Sequence, residues 1–331
     1  ARTPIGGFQG AFTTLTAPEL GGYAIKAALN QSGIDVSAIE DVIMGCVLPA
    51  GLGQAPARQA GFHGGLNNSN PATTVNKMCG SGMKAVMLGF DQIASGDIKT
   101  VVAGGMESMT NAPHLNRKIR TGARIGHQVF TDHMLLDGLE DAYDTGILMG
   151  SFAEDCAEHY QFSRAIQDEY ALCSLTRARH AQTDGTFETE ITPITIETRK
   201  QTFTVMQDEQ PLTAQPERIP HLKPAFRKGG TVTAANSSSI SDGAAALVLA
   251  SAEMVEAHSL KVRGRMLGHA SFAHSPSWFT TAPVYAAQKL LKKIGWQIAD
   301  VDLWEVNEAF AVVPMAFMRE LNLSSEIVNI Y

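Results

Sequence analysis

One cysteine in a glycine-rich stretch is the residue best suited to chemistry in this sequence. Residues 76–84 read N-K-M-C-G-S-G-M-K, so Cys79 is followed by two nearby glycines. The preceding residues 72–75 include a β-branched run that is typical of a strand end, and residues 83–93 favour a helix. The pattern therefore predicts a cysteine at a sharp strand-to-helix turn, which is where a nucleophile elbow places its reactive side chain.

A cysteine in that position has the chemistry of a nucleophile. The start of a helix would point unpaired N–H groups and a positive dipole at the sulfur, which lowers a thiol pKa and favours the thiolate. The same N–H groups would stabilise an oxyanion on a substrate carbonyl, and Gly80 and Gly82 would let a substrate approach the backbone closely. A buried structural cysteine is the alternative, because free cysteines are among the most buried residues. The flanking glycines favour the nucleophile.

Composition and charge narrow the classes of function. The 331 residues are 44% hydrophobic and 18% charged, as in a globular protein of two or three domains. A net charge of −7 without a basic cluster argues against a nucleic-acid partner. No run of about 18 apolar residues predicts a membrane span, and no signal peptide is visible. The four cysteines lie too far apart for a metal site or a disulfide framework, so we expect no metal and a reducing, cytoplasmic compartment.

Two parts of the chain show the same order of elements. A helix followed by a strand is predicted over residues 21–47 and again over residues 284–306, where the second strand covers 298–306. The strand entries I-E-D-V and I-A-D-V start 259 positions apart, and T-V-N at 74–76 is echoed 253 positions later by I-V-N at 327–329. Similar elements at similar offsets predict two copies of one α/β unit. Chance is the alternative, because a helix, a glycine and a strand follow one another in many α/β proteins.

The sequence between the two copies predicts further elements. Buried strands are expected over residues 99–109 and 244–251, and a strand-type alternation covers 191–207. A helix pair is expected over residues 151–179, broken near Ser163.

Two other stretches suggest binding surfaces. Residues 110–147 are rich in polar residues and glycine and are predicted to form surface loops, where binding residues often lie. The small-residue run over 229–239 suits either close approach by a thin ligand arm or tight internal packing.

Four motifs together resemble the thiolase family. They are N-K-M-C-G-S-G-M-K-A at 76–85, G-G-M-E-S-M at 104–109, G-T-V-T-A-A-N at 230–236 and N-E-A-F at 307–310. They occur in the order of the family, and the resemblance covers essentially the whole chain. Within the family the sequence is most similar to the acetoacetyl-CoA thiolases, whose loop over residues 113–143 it shares in length and sequence.

The resemblance implies an α/β fold in which two related βαβαβαββ halves form a five-layered α-β-α-β-α core with an inserted loop domain. Residues 1–110, continued by 240–262, would form the N-terminal half. Residues 111–239 would form the loop domain that binds CoA and makes tetramer contacts, and residues 263–331 the C-terminal half. The family also implies a homotetramer built from tight dimers.

The activity implied by the resemblance is a ping-pong acyl transfer that forms or cleaves acetoacetyl-CoA, as in fatty-acid metabolism. Cys79 would carry the acyl group, and Asn307 would hold a water in an oxyanion hole for the enolate of the second acetyl-CoA. Coenzyme A would be substrate and product, with no separate cofactor. Taken alone, Asn307 would be read as a helix N-cap. Five residues match the family positions that line the pantetheine and acyl pocket: Met149, Phe226, Ala234, Ser238 and Phe310. Each of them could instead serve ordinary internal packing.

The sequence departs from the family pattern in several places. The Gly-His-Pro and Cys-x-Gly-Gly motifs of the family do not occur in the 331 residues, so we expect that the natural chain continues past Tyr331 and that these residues alone have lost condensation. Leu148 stands where a histidine is frequent, and residues 278–283 replace a Met-Gly-x-Gly-Pro run, so Phe279 would reshape the acyl pocket. Candidates for the contact with the CoA 3′-phosphate are Arg218, Lys223, Arg227 and Lys228.

Two other functions remain open at the level of sequence. A longer-chain 3-ketoacyl-CoA thiolase of fatty-acid β-oxidation would share every motif above. A non-catalytic CoA-binding protein of the same fold would account for the two missing motifs. A ketoacyl synthase also carries an elbow cysteine, but the N-E-A-F motif argues against it.

Overall fold

The computed structural model describes residues 1–331, which divide into two compact units. The first unit comprises residues 1–142, 187–210 and 240–265, and the second comprises 143–186, 211–239 and 266–331. Each unit is described by itself below. The three domain ranges predicted from the family resemblance stay a prediction.

Nine strands and nine α-helices make up the regular structure. The strands are β1 (Gly6–Gly7), β2 (Asp41–Gly45), β3 (Ala72–Val75), β4 (Thr100–Ser108), β5 (His114–Leu115), β6 (Thr131–Asp132), β7 (Ile194–Glu197), β8 (Thr202–Val205) and β9 (Ser241–Ala250). The helices are α1 (Ala17–Ser32), α2 (Pro56–His63), α3 (Ser81–Ser95), α4 (Met149–His159), α5 (Arg164–Thr183), α6 (Glu209–Thr213), α7 (Ala252–Ala257), α8 (Ala282–Ile294) and α9 (Val312–Leu321). None of these helices is both long enough and apolar enough to cross a membrane.

A five-stranded mixed sheet in the order β1-β9-β4-β2-β3 organises the first unit. Strand β2 pairs in parallel with β3 and β4, whereas β9 runs antiparallel to β4 and β1. Every residue of β2 is buried, as expected of a central strand covered on both faces. Because successive side chains point to opposite faces, Val42 and Met44 join the core beneath α1 and α2. Ile43 packs with Ala85 of α3 on the other face.

Sequence signals fix the ends of the helices in both units. Helix α1 begins with a capping box between Thr16 and Glu19, and it ends at Gly33, which adopts a left-handed φ of 71°. The predicted helix pair is confirmed as α4 and α5, and the side chain of Ser163 caps the first turn of α5. The strand predicted over 191–207 is a hairpin of β7 and β8.

The core of the second unit is helical. Helix α9 contributes Val312, Val313 and Phe317 to a cluster that also contains Cys156 of α4 and Val284 of α8. The strand predicted over residues 298–306 is wrong in extent, because residues 298–300 form a 3-10 turn instead. Only Trp304 pairs, as an isolated parallel bridge to Val328.

That bridge confirms the predicted internal repeat. Gly45 of β2 pairs in parallel with Val75 of β3. Adding the two sequence offsets gives 45 plus 259 and 75 plus 253, which are Trp304 and Val328, the pair that forms the bridge. The same register recurs in both units.

A side-chain contact next to the paired strands repeats as well. Asn76, just after β3, donates its amide to the carbonyl oxygen of Val47 at 3.4 Å. The equivalent Asn329 donates to the carbonyl oxygen of Val306 at 2.8 Å, and the same offsets relate the two pairs. The sequence echo between T-V-N and I-V-N therefore reflects an asparagine that links two neighbouring strand ends in each unit.

Candidate active site

A closed turn carries Cys79 between β3 and α3, as the sequence predicts. The Asn76 carboxamide oxygen accepts the Met78 N–H at 2.9 Å. The Ser81 hydroxyl accepts the Lys77 N–H at 2.8 Å and donates to the Met78 carbonyl at 2.5 Å. Met78 has a left-handed φ of 50°, a conformation that stores strain when a non-glycine residue adopts it. These contacts hold Cys79 at the tip of the turn, where it is exposed.

The first turn of α3 lies directly on the sheet because three glycines meet there. A Cβ atom on Gly45 would lie 2.5 Å from the Ser81 carbonyl carbon and 2.6 Å from the Gly82 nitrogen. A Cβ on Gly105 would lie 3.1 Å from the Gly82 Cα. Close approach of backbone to backbone is the structural use of glycine, and it fixes the height of Cys79 above β2 and β4.

The pKa of the Cys79 thiol is raised, not lowered as the sequence pattern predicts. Partial removal of water around the sulfur has the largest effect, and the negative charge of Glu107 raises the pKa further. The backbone N–H of Cys79 itself lowers it in part. Helix α3 begins at Ser81, two residues beyond the cysteine, so Cys79 is not part of its first turn. The thiol is therefore mainly protonated at neutral pH and needs a base for attack.

Glu107, in β4, is a charged group near the nucleophile to which the sequence assigns no role. Its carboxylate accepts the backbone N–H groups of Val47 at 2.8 Å and Leu48 at 2.9 Å. The Cys46 thiol donates to it at 3.5 Å. Burial raises the pKa of Glu107, and the two N–H groups oppose that shift. Glu107 therefore fixes the loop after β2 and places negative charge on the inner side of the elbow.

Asn307 and the predicted pocket residues all lie in the second unit. Asn307 is exposed in the segment between the Trp304 bridge and a second bridge from Ser237 to Phe310. The Ser238 N–H donates to the Ala309 carbonyl at 3.0 Å. The end of the small-residue run is thus joined directly to the N-E-A-F motif.

Two aromatic rings pack against Phe310, the last residue of the N-E-A-F motif. The Phe226 and Phe310 rings are perpendicular at 5.9 Å between centroids, and Phe279 meets Phe310 at 6.3 Å. Met149 begins α4 and packs against the same cluster. A Cβ on Gly150 would lie 2.4 Å from the Phe226 ring, so this ring sits directly on the first turn of α4. The predicted pocket residues Met149, Phe226 and Phe310 are therefore brought together.

Glu154 holds the small-residue run in place. Its buried carboxylate accepts the N–H groups of Thr231 and Val232 at distances from 2.8 to 2.9 Å. A Cβ on Gly230 would overlap this carboxylate at 2.1 Å. Beyond the anchored turn, the predicted pocket residues Ala234 and Ser238 are exposed. Residues 230–232 of the small-residue run are therefore tightly packed, whereas an open surface lies further along the run.

Of the four basic residues predicted as candidates for a phosphate contact, Arg227 already forms an ion pair within the second unit. It pairs with Asp155 and lies 3.4 Å from a Glu158 oxygen. Lys223 and Lys228 carry no such ion pair.

Comparison with known proteins agrees with this geometry. The family described as the thiolase N-terminal domain matches residues 1–253, and the thiolase C-terminal domain matches residues 260–331. The chain belongs to the thiolase family. It is 45% identical to an acetyl-CoA acetyltransferase of Schizosaccharomyces pombe, over 99% of this chain and 84% of the relative. It is 46% identical to acetyl-CoA acetyltransferase 2 of Arabidopsis thaliana, over 100% of this chain and 82% of the relative.

Solved structures show the same fold. A thiolase of Ascaris suum in complex with coenzyme A superposes with a TM-score of 0.94 at 40% identity, over 100% of this chain and 85% of the other. The acetyl-CoA acetyltransferase of Bacillus anthracis gives a TM-score of 0.95 at 36% identity, over 100% of this chain and 84% of the other. The predicted thiolase fold is confirmed, and the protein is an acyltransferase of this family.

The individual roles predicted for Cys79, Asn307 and the pocket residues stay predictions. Sequence reasoning missed Gly45, Glu107 and Glu154. A signal existed for Glu107, since a lone carboxylate in an otherwise apolar strand needs a buried partner. None existed for Gly45, whose contact with α3 depends on tertiary packing.

Proposed function

We propose that this thiolase transfers an acetyl group between two molecules of acetyl-CoA, forming acetoacetyl-CoA and free CoA, and catalyses the reverse cleavage. The observation that carries the proposal is the exposed Cys79 at the tip of a turn braced by Asn76 and Ser81. The names of the relatives and the CoA in the Ascaris suum structure support the substrate. Coenzyme A takes part as substrate and product, and no other cofactor is required.

The reaction proceeds in two steps. A base removes the Cys79 thiol proton, and the thiolate attacks the acetyl-CoA carbonyl, so that a cysteine thioester forms and CoA leaves. A second acetyl-CoA loses an α-proton, and its carbanion attacks the acetyl carbonyl. The bond to sulfur breaks, the Cys79 thiolate returns and acetoacetyl-CoA leaves. Asn307, through a bound water, stabilises the enolate oxygen of the second acetyl-CoA.

The aromatic cluster supports a short acyl chain. The rings of Phe226 and Phe279 both pack against the ring of Phe310, the last residue of the N-E-A-F motif. Rings fixed in a packed cluster do not give way to a longer chain without a packing penalty. The four-carbon product therefore fits better than the longer 3-ketoacyl-CoA esters of fatty-acid β-oxidation.

We also propose a homotetramer in the cytoplasm with a role in fatty-acid metabolism. The loop over residues 113–143 carries exposed apolar side chains, with Ile125, Val129 and Phe130 between 64% and 104% accessible, as expected of a surface that another subunit covers. All four cysteines are free thiols, which suits a reducing compartment.

The test is thiolysis by the protein expressed from its natural gene. Four-carbon and eight-carbon 3-ketoacyl-CoA esters are each incubated with CoA, and the loss of the ketoacyl thioester is followed. Preferred cleavage of acetoacetyl-CoA is expected. Preferred cleavage of the eight-carbon ester would identify a longer-chain thiolase, and CoA binding without any cleavage would identify a non-catalytic protein.

A further inference from the structure

The segment that carries Asn307 is held rigidly by residues on both sides of it. On the N-terminal side, the Val306 N–H donates to the Asn329 side-chain oxygen at 2.7 Å, and the Val306 carbonyl accepts the Asn329 amide at 2.8 Å. This two-point contact locks the backbone directly before Asn307. The Asn329 backbone is in turn fixed, since Arg177 donates to its carbonyl at 2.9 Å.

On the C-terminal side the fixed residue is Glu308. The hydroxyls of Tyr170 and Ser174, one helical turn apart on α5, donate to its two carboxylate oxygens at 2.6 and 2.7 Å. The Asn329 amide donates to the same carboxylate at 3.0 Å. Three neutral donors thus surround one half-buried carboxylate, and charge-assisted bonds of this kind are stronger than neutral ones. Burial and then the Glu308 charge raise the pKa of Tyr170, so that its proton stays in place.

Val306 and Glu308, the two residues that flank Asn307, are thus both held by hydrogen bonds. Asn307 lies between them and is exposed. Oxyanion stabilisation depends on donors that hold their position before the charge develops. The arrangement therefore fits a support for Asn307 rather than a second reacting group.

We propose that Glu308 is a positioning residue for Asn307, acting through its bonds to Tyr170, Ser174 and Asn329. The proposal rests on the function proposed above, in which Asn307 serves the enolate of the second acetyl-CoA. It assigns Glu308 no contact with substrate. It predicts that loss of the carboxylate damages the condensation step and spares the acetylation of Cys79.

The experiment compares Glu308→Gln, Asn307→Ala and the double variant in the protein expressed from its natural gene. An amide at position 308 removes the negative charge from all three bonds, and the hydroxyl that faces its N–H₂ group must turn from donor to acceptor. We expect kcat of condensation to fall about 10- to 100-fold with little change in KM, because oxyanion donors act mainly on kcat. Cys79 acetylation by acetyl-CoA, followed by intact mass, should stay at the wild-type rate.

The double variant separates positioning from a merely structural role. If Glu308 acts through Asn307, the double variant is no slower than Asn307→Ala. Multiplied losses, or an equal loss of Cys79 acetylation in Glu308→Gln, would overturn the proposal. Tyr170→Phe and Ser174→Ala should each cause a smaller fall of the same kind, and they serve where the glutamate variant folds poorly.

A measurement independent of activity distinguishes this proposal from the proposed function. Backbone hydrogen exchange of the peptide over residues 304–310 should accelerate about tenfold in Glu308→Gln, because the charge-assisted bonds of the carboxylate become weaker neutral bonds. Glu320→Gln is the matched control, since it also neutralises a carboxylate that accepts a tyrosine hydroxyl, from Tyr160 at 2.7 Å. Absence of Cys79 acetylation in the wild type would refute the acyl-transfer function alone, whereas unchanged exchange in Glu308→Gln would refute the positioning role.

Discussion

Replacing Gly45 by alanine tests whether contact with β2 sets the height of the nucleophile. The added Cβ would lie 2.5 Å from the Ser81 carbonyl carbon, 2.6 Å from the Gly82 nitrogen and 2.7 Å from the Ser81 Cβ. Two of these three atoms belong to backbone that cannot rotate away. The first turn of α3 must therefore move off the sheet, and Cys79 moves with it.

The size of that movement follows from the contact distance. Ordinary Cβ contacts begin near 3.4 Å, so relief of a 2.5 Å contact requires a shift of 3.4 minus 2.5, or 0.9 Å. Overpacking of this kind costs roughly 1–3 kcal/mol of unfolding free energy. A misplacement of about 1 Å at a reacting group costs on the order of 100-fold in rate. We expect losses of these magnitudes in stability and in Cys79 acetylation, respectively.

The assay combines urea unfolding with the rate of Cys79 acetylation by acetyl-CoA. Gly61→Ala is the matched control, because Gly61 is also a buried glycine of the first unit and its added Cβ meets Leu66 at an ordinary 3.5 Å. The control should keep its stability within about 1 kcal/mol, since alanine favours a helix, and should keep its acetylation rate. Wild-type acetylation in a stably folded Gly45→Ala variant would refute the role of this contact.

Three further predictions follow from other contacts of the two units. The rate of Cys79 alkylation by iodoacetamide in the 331-residue chain should rise with pH, with a midpoint above the value of about 8.5 for a free thiol, because partial desolvation of the sulfur and the charge of Glu107 raise its pKa and only the thiolate reacts. Glu107→Gln should lower that midpoint, and a wild-type midpoint below 8 would contradict the electrostatic argument. Glu154→Gln should lower the free energy of unfolding in urea by about 1.5–3 kcal/mol, because bonds to two backbone N–H groups are disturbed. The neighbouring Asp155→Asn breaks only an exposed ion pair and should lower it by at most about 1 kcal/mol. Equal losses would show that burial of the carboxylate is irrelevant. Phe279→Ala should raise turnover of the eight-carbon ketoacyl-CoA relative to the four-carbon ester by roughly tenfold or more, and an unchanged ratio would remove Phe279 from the acyl pocket.

Local sequence determined much of the fold. The β-branched run before Asn76 forms β3, and the periodic residues after it form α3. Both elements could be predicted because each signal is contained within a few consecutive residues. The repeat was visible because the offsets of the two strand ends are preserved to the register of a single pair, Trp304 with Val328. The prediction of a strand over residues 298–306 is wrong in extent, because pairing partners and not local propensity decide how far a strand extends.

The electrostatics of the site could not be predicted from local sequence. The raised pKa of Cys79 depends on Glu107, which is 28 residues away along the chain and reaches the elbow only through the pairing of β4 with β2. The contact of Glu308 with Tyr170 joins residues 138 positions apart. Such contacts are fixed by tertiary packing. The motifs therefore predict the candidate site residues but not the residues that hold them in position.

The most direct test of the account is the intact mass of the protein after incubation with acetyl-CoA, with wild type beside Cys79→Ala. We predict a gain of one acetyl group in the wild type and none in the variant, because the exposed elbow thiol is the acyl carrier. An acetyl group retained in Cys79→Ala, or no acetylation of a wild-type protein that still binds CoA, would contradict the central claim.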